Sequence, residues 1–374
     1  MKNAVHRVIM GKKAFREIKY KTRGAKMKNV TFKNPICHGA DPWLFVHDDY
    51  YYLCCTAGTK LNLYRAKDVT RIHDPEHCES VAAFYPREGE MWSKNLWSPE
   101  IHYFSEEDFG VEHAGWYMFI ALDNGQNVNH RMYVLKCEDK DSPFAPYGHP
   151  ETGERYVPIK VTSPTDEHLN DGWRCGQTLL RHGKDVYCMW VDELGRQTEE
   201  FHQRIRIAKM INPYTAGEAH VLCRPTEEWE MHGFGPTKEG KILPRVVEGG
   251  TAIYGDDGKI YVVYSGSGYW TKYYALGHMT LDGTNPAEES HWTKDREPIF
   301  SMSDEVFGCG HASYFFDAAG QRYIAYHAYL SPDKKGGRYV FLEPYRIEDG
   351  RVIIGDGSLK PAPLSTEQTI AVFE

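Results

Sequence analysis

The stretch that decides the fold is DDYYYLCCTA at residues 48–57, two acidic turn residues followed by a tyrosine-led apolar run. A turn signal opening onto aromatic and apolar residues reads as a β-strand entered from a tight turn. The pattern returns as AGWYMFIALD at 114–123, GKDVYCMWVD at 183–192, DGKIYVVYSG at 257–266 and GQRYIAYHAY at 320–329. Aligned on Tyr52, Tyr117, Tyr187, Tyr261 and Tyr323, the copies stand 65, 70, 74 and 62 residues apart. Each anchor is preceded by a shorter apolar run and followed by another, as in LNLYRAKD, HRMYVLKCE, IRIAKMI, YALGHMTL and YVFLEPYRI. Five meanders of about four strands each follow from ordinary strand lengths.

Five sheet-sized repeats predict an all-β chain folded as a single five-bladed β-propeller, where radial packing buries both faces of every sheet. The domain is expected over residues 31–374, with residues 1–30 as an N-terminal extension. A large β-sandwich is the alternative architecture, but it does not require five similar repeats. The period exceeds that of simple propeller repeats, so the surplus residues belong to loops, where binding specificity usually resides.

Composition narrows the function. The 374 residues include 25 Tyr, 16 Phe and 9 Trp, a richness suited to strands and to surfaces that stack on sugars. A net charge of -8 argues against a phosphate-binding surface and a nucleic acid partner. No run of apolar residues reaches the length of a membrane span, and the first residues lack a signal-peptide core, so the protein is expected to be soluble and cytoplasmic. The nine cysteines form no CxxC pair and read as reduced core thiols rather than disulfides or metal ligands. Oligomeric state is left open.

In a propeller the innermost strand of each blade begins near the central axis, so residues just upstream of the anchors converge there. Counting back 11 to 13 residues gives Asp41, Gly176, Glu248 and His311, and the second blade supplies Trp97 and Glu100 from LWSPEIHYF. Paired carboxylates are what glycosidic hydrolysis requires. Asp41 in HGADPW also suits a turn before Pro42. Glu248 in RVVEGG is harder to explain structurally, because an acid at the head of a buried strand carries a desolvation cost. His311 serves equally as a core histidine or as a contact to water or an ion.

These residues carry a resemblance to glycoside hydrolase family 43, covering roughly residues 30–370. NPICHGADPWLF (34–45) is similar to the family's opening motif with its general-base aspartate, LWSPEIHYF (96–104) to its WAPEIHY motif, and RVVEGG (245–250) to the motif bearing its general-acid glutamate. GCGHASYFFDAAGQRYIAYHAY (308–329) is similar to the segment whose histidine lies on the axis and often contacts calcium. The resemblance implies a five-bladed propeller that removes terminal pentose or furanose units from oligosaccharides with inversion, α-L-arabinofuranosyl groups first, then β-xylosyl or galactofuranosyl. Asp41 would be the base and Glu248 the acid, with Trp97, Glu100, Gln177, His311 and Arg338 in substrate binding. One axial calcium ion, held by His311, would be structural or electrostatic, with no organic cofactor. The family's third-blade aspartate is replaced here by Gly176 in Trp173-Arg174-Cys175-Gly176-Gln177-Thr178, and Asp171 is the expected substitute. That gap keeps open a glycan-binding propeller without catalysis. A phosphorylase would need Arg174 and Arg245 to gather around a phosphate.

Overall fold

Five antiparallel sheets arranged as a propeller make up the structure, a computed structural model that describes residues 26–374. Blade 1 runs through Trp43–His47, Tyr50–Cys54, Leu61–Ala66 and Glu79–Phe84. Blade 2 has Lys94–Phe104, Gly115–Asp123, Arg131–Cys137 and the short Tyr147–Gly148, and blade 3 has Arg174–His182, Asp185–Leu194, His202–Asn212 and Thr215–Cys223. Val247–Tyr254, Ile260–Gly266, Ala275–Leu281 and Trp292–Lys294 form blade 4. The anchor tyrosines all lie on second strands, opposite Phe45, His102, Leu180, Ile253 and Phe315 of the inner strands, and every one is buried. Their repetition thus reflects one packing role, an aromatic wedged between neighbouring sheets.

Blade 5 closes the ring with chain from both ends. Its strands Phe307–Phe316, Arg322–Tyr329 and Tyr339–Glu348 are completed by Cys37–His38, which pairs with the third of them. A separate ribbon pairs Met27–Phe32 with Gln368–Phe373. Residues 26–30, assigned above to the extension, therefore belong to this ribbon, the Lys26 carbonyl accepting from the Glu374 amide at 2.9 Å; residues 1–25 lie outside the described residues. The Tyr51 hydroxyl pins the ribbon to the ring, donating to the Ala371 carbonyl at 2.7 Å and accepting from the Ala318 amide at 2.9 Å.

The feature that positions the site recurs at the head of each inner strand. Asp41, Ser98, Gly176, Gly249 and His311 have φ of 53°, 46°, 60°, 58° and 49°, a left-handed residue at the equivalent position of every blade, and the inner strands of blades 2 and 5 carry a second at Asn95 and Gly308. In blades 2 to 5 the pairing with the second strand slips at this point. An extra residue in a left-handed conformation re-aims the side chains on either side of it, here toward the axis.

Replacing Tyr51 with Phe removes both bonds and leaves the Ala318 amide and the Ala371 carbonyl only their direct contact of 3.2 Å, which costs about 0.5–1.5 kcal/mol. The urea midpoint is expected to fall with an unchanged slope. An unaltered midpoint would show that the ribbon is held by its strand pairing alone.

Candidate active site

A single cavity of about 280 Å³ opens at the axial end where these strand heads meet, and Asp41, Trp97, Glu248, His311 and Arg338 all line it. Blades 1 and 5 contribute the left-handed residue itself, Asp41 and His311. In blades 2, 3 and 4 the residue before it faces the cavity: Trp97, Cys175 and Glu248. Gly249 permits this arrangement in blade 4, since a Cβ there would stand 3.1 Å from the His311 ring.

Asp41, only 8% exposed, is held on every side. Its Oδ1 lies 3.0 Å from Arg338 Nη1 and 3.6 Å from His311 Nδ1, while its Oδ2 accepts from the Thr56 hydroxyl at 2.5 Å. The Asp41 amide donates to His327 Nδ1 at 3.0 Å. Burial and the adjacent Arg338 lower the His327 pKa to about 4, so this ring is neutral. Burial alone would raise the Asp41 carboxyl, but Arg338 and then His311 outweigh it and hold the group well below the usual carboxylate range.

Glu248 has the opposite environment. Its Oε1 accepts from the Tyr274 hydroxyl at 2.9 Å, which leaves the other oxygen to carry a proton. Burial is the largest influence and raises its pKa, with Asp41 adding to the rise; His311, Tyr274 and Arg338 oppose it without reversing it. Two carboxyl groups in one cavity thus have their pKa values pushed apart, Asp41 toward the ionised form and Glu248 toward the protonated one.

Trp97 forms a wall backed by the fully buried His130, whose ring stacks on it with centroids 4.0 Å apart. His130 Nδ1 lies 2.8 Å from Asp123, which also accepts from Asn95 and from the Gly125 amide. The far wall comes from loops. Gln197 bonds both the amide and carbonyl of Ile242, tying the 235–243 hairpin across blade 3, and Trp270 Nε1 donates to the Gly233 carbonyl.

Three residues assigned to the site by sequence lie elsewhere. Asp171 ends the short helix Glu167–Asp171, is 85% exposed and pairs with Lys160 at 3.4 Å. It faces solvent because that helix buries Leu169 instead. Glu100 and Gln177 follow the left-handed residues Ser98 and Gly176 by two and one positions, and the turn directs them into the protein. Glu100 is buried against His102 Nε2 at 2.8 Å, and neither side chain lines the cavity. Arg174 is fully buried and Arg245 lies over the Phe234 ring, so the phosphate cluster does not form.

The residues around His311 do not suit calcium. That ion takes six to eight oxygen ligands, whereas His311 offers nitrogen and its neighbouring carboxylate is already engaged by the Arg338 cation. Among the described residues, the cluster of three potential metal-binding side chains is Asp74, Glu76 and His77 in blade 1, away from the cavity. No step is therefore assigned to an ion.

Sequence reasoning missed Thr56, Tyr274, His327, Glu193, Arg196 and Gln203. His327 stands in the quoted GQRYIAYHAY string and Thr56 in the quoted DDYYYLCCTA, so both were within sight of the motifs. Glu193, Arg196 and Gln203 lie beyond the repeat's inner strand, where no pattern marks them.

Comparison with known proteins agrees with this geometry. The sequence matches Glycosyl hydrolases family 43 over residues 32–352. It is 24% identical over 318 residues to an extracellular exo-alpha-(1->5)-L-arabinofuranosidase of Streptomyces chartreusis, covering 81% of this chain and 84% of that one. It is 22% identical over 304 residues to alpha-L-arabinofuranosidase 43 of Humicola insolens, covering 78% and 55%. The fold is similar to that of an alpha-L-arabinofuranosidase from Lactobacillus brevis, with a TM-score of 0.72 at 22% identity over 90% of this chain and 98% of that one. A xylan beta-1,4-xylosidase from Bacillus halodurans C-125 superposes with a TM-score of 0.65 at 15% identity, over 90% and 59%. With the family match spanning most of the propeller, the chain belongs to glycosyl hydrolases family 43.

Proposed function

We propose that this family-43 glycoside hydrolase removes single terminal pentose or furanose units, α-L-arabinofuranosyl above all, by a one-step inverting displacement. The observation that carries the reading is the pair Asp41 and Glu248, two carboxyl groups in one cavity with opposite protonation preferences. Asp41, ionised beside Arg338, takes a proton from the attacking water. Glu248, kept protonated by burial, gives its proton to the departing oxygen. Trp97 offers its face to the sugar ring, and Arg338 and His311 hold the base in place. The arabinofuranosyl preference is supported by the printed activities of the two relatives and of the Lactobacillus brevis structure.

Enclosure of the cavity supports terminal action. Lys241, Ile242 and Leu243 of the 235–243 hairpin and Trp270 line one side of it. Enclosure also acts on the acid itself. Burial raises the pKa of Glu248 without a carboxylate at position 176, so the absence of that residue does not by itself imply lost catalysis.

Aryl α-L-arabinofuranosides are expected to be cleaved faster than aryl β-D-xylosides or β-D-galactofuranosides, and proton NMR of the fresh product should show the inverted anomer. No cleavage of any of the three would overturn the reading. Glu248→Gln is expected to reduce turnover of substrates with poor leaving groups by about 10²–10⁴-fold while largely sparing activated aryl glycosides, whereas Asp41→Asn disables both. Small, equal losses would place the catalytic pair elsewhere.

The pH profile tests how the acid is kept protonated. Its acidic limb should reflect the depressed Asp41 and its basic limb the raised Glu248. A carboxylate at 176 is sterically feasible: Gly176 has φ of 60°, close to the 53° at which Asp41 sits, and a Cβ there meets only Val191 at 3.7 Å. Like-charge repulsion raises a neighbouring carboxyl, so Gly176→Asp should move the basic limb of kcat/KM upward. Asp171→Asn should leave that limb in place. A downward shift from Asp171→Asn would contradict burial as the cause.

A further inference from the structure

Glu193 is a third carboxylate in the cavity. It lies near the end of the second strand of blade 3, is 8% exposed, and is forked by Arg196 from the following turn, Nε to Oε1 and Nη2 to Oε2 at 2.8 Å. The same guanidinium reaches Asn127 Oδ1 of blade 2 at 3.2 and 3.1 Å and lies 5.9 Å from the Trp173 ring and 5.8 Å from the Phe201 ring. Gln203, which faces Glu193 across the strand pair, also lines the cavity, and its amide has no protein partner among the described residues. Desolvating an ion pair costs about as much as the attraction returns, so stability alone is a weak reason to build one into a pocket wall.

The position of this wall indicates what it faces. The Gln203 backbone N–H donates to the Arg245 carbonyl at 2.8 Å, and the Arg245 backbone N–H donates to the Phe201 carbonyl at 3.1 Å, leaving the Gln203 side-chain amide free. This blade edge is thereby fixed to the chain three residues before Glu248. Asp41 and its partners come from blades 1 and 5. In the proposed reaction water enters beside the base and the leaving group departs toward the acid, whose strand in blade 4 neighbours the blade 3 strand of Glu193. A carboxylate, an unpartnered amide and two aromatic rings together suit a neutral, hydroxylated ring with apolar C–H faces.

We propose that Glu193, Arg196 and Gln203 bind hydroxyls of the leaving-group sugar, and that Glu193 does not stand in for the acid missing at Gly176. The assignment rests on the glycosidase reading and specifies one part of its site. Arg196 neutralises Glu193, and the groups acting on Glu248 are His311, Tyr274, Asp41 and Arg338, with burial.

The test compares an aryl α-L-arabinofuranoside, which lacks the second sugar, with an arabinofuranosyl disaccharide. Glu193→Gln and, separately, Gln203→Ala are expected to reduce kcat/KM on the disaccharide by about 10- to 100-fold, mainly through KM, as for hydrogen bonds to charged or buried groups. The loss on the aryl glycoside should be at least about tenfold smaller, so that the ratio of the two falls. Gln203→Ala guards against misfolding, because its amide holds no protein group. Equal losses on both substrates, or a downward shift of the basic pH limb in Glu193→Gln, would overturn the proposal. A wild-type protein that cleaves neither substrate overturns the glycosidase reading and this assignment with it.

Discussion

Everything at the axial end of the molecule depends on a backbone constraint repeated five times. A left-handed residue at the head of each inner strand turns the chain so that side chains beside it point at the axis instead of across the sheet. For Asp41, Ser98 and His311, which carry a Cβ, this conformation costs on the order of 1–2 kcal/mol each. Such strain persists only where the surrounding structure over-determines it, and such positions cluster at functional sites. In blade 1 the Thr56 hydroxyl, Arg338 and His327 supply that determination; in blade 5 the His311 amide is held by Ser265 Oγ at 2.8 Å.

Ring closure and electrostatics are linked through the same residues. Cys37–His38 adds to the edge of blade 5, and the Gly39 amide donates to the Arg338 carbonyl at 3.1 Å. The next two residues lead directly to Asp41, which thereby meets a guanidinium 297 positions later in the chain. Closing the propeller is thus the act that creates the ionised carboxylate. Glu248 acquires its opposite character with no such partner, because enclosure penalises its charged form more than His311, Tyr274 and Arg338 favour it.

Enclosure comes from the loops that lengthen this propeller's repeat. The hairpin at 235–243 is held through Gln197, and the turn carrying Trp270 is held by Gly233 and by Lys334, whose ammonium donates to the Trp270 carbonyl at 2.5 Å. These contacts join blades 3, 4 and 5 over the cavity. They enclose the side of the cavity lined by Lys241, Ile242, Leu243 and Trp270.

The sequence by itself determined the five repeats, because a buried tyrosine on every second strand is a local packing requirement written at nearly regular intervals. It also determined Asp41, Trp97, Glu248 and His311 as axial residues, since position within a repeat translates directly into position around the axis. Arg338 rested on family resemblance, and the structure places it on Asp41. The tertiary structure alone decided the rest. Whether a residue beside a left-handed turn faces the cavity or the interior is a matter of one position, which is why Glu100 and Gln177 point away while Cys175 points in. Asp171 was adjacent in sequence to the expected acid but belongs to a helix whose apolar side sets its orientation. Glu193, Arg196 and Gln203 come from a second strand, a turn and a third strand, and only the packing of blade 3 against the strand of Glu248 gives them a common wall.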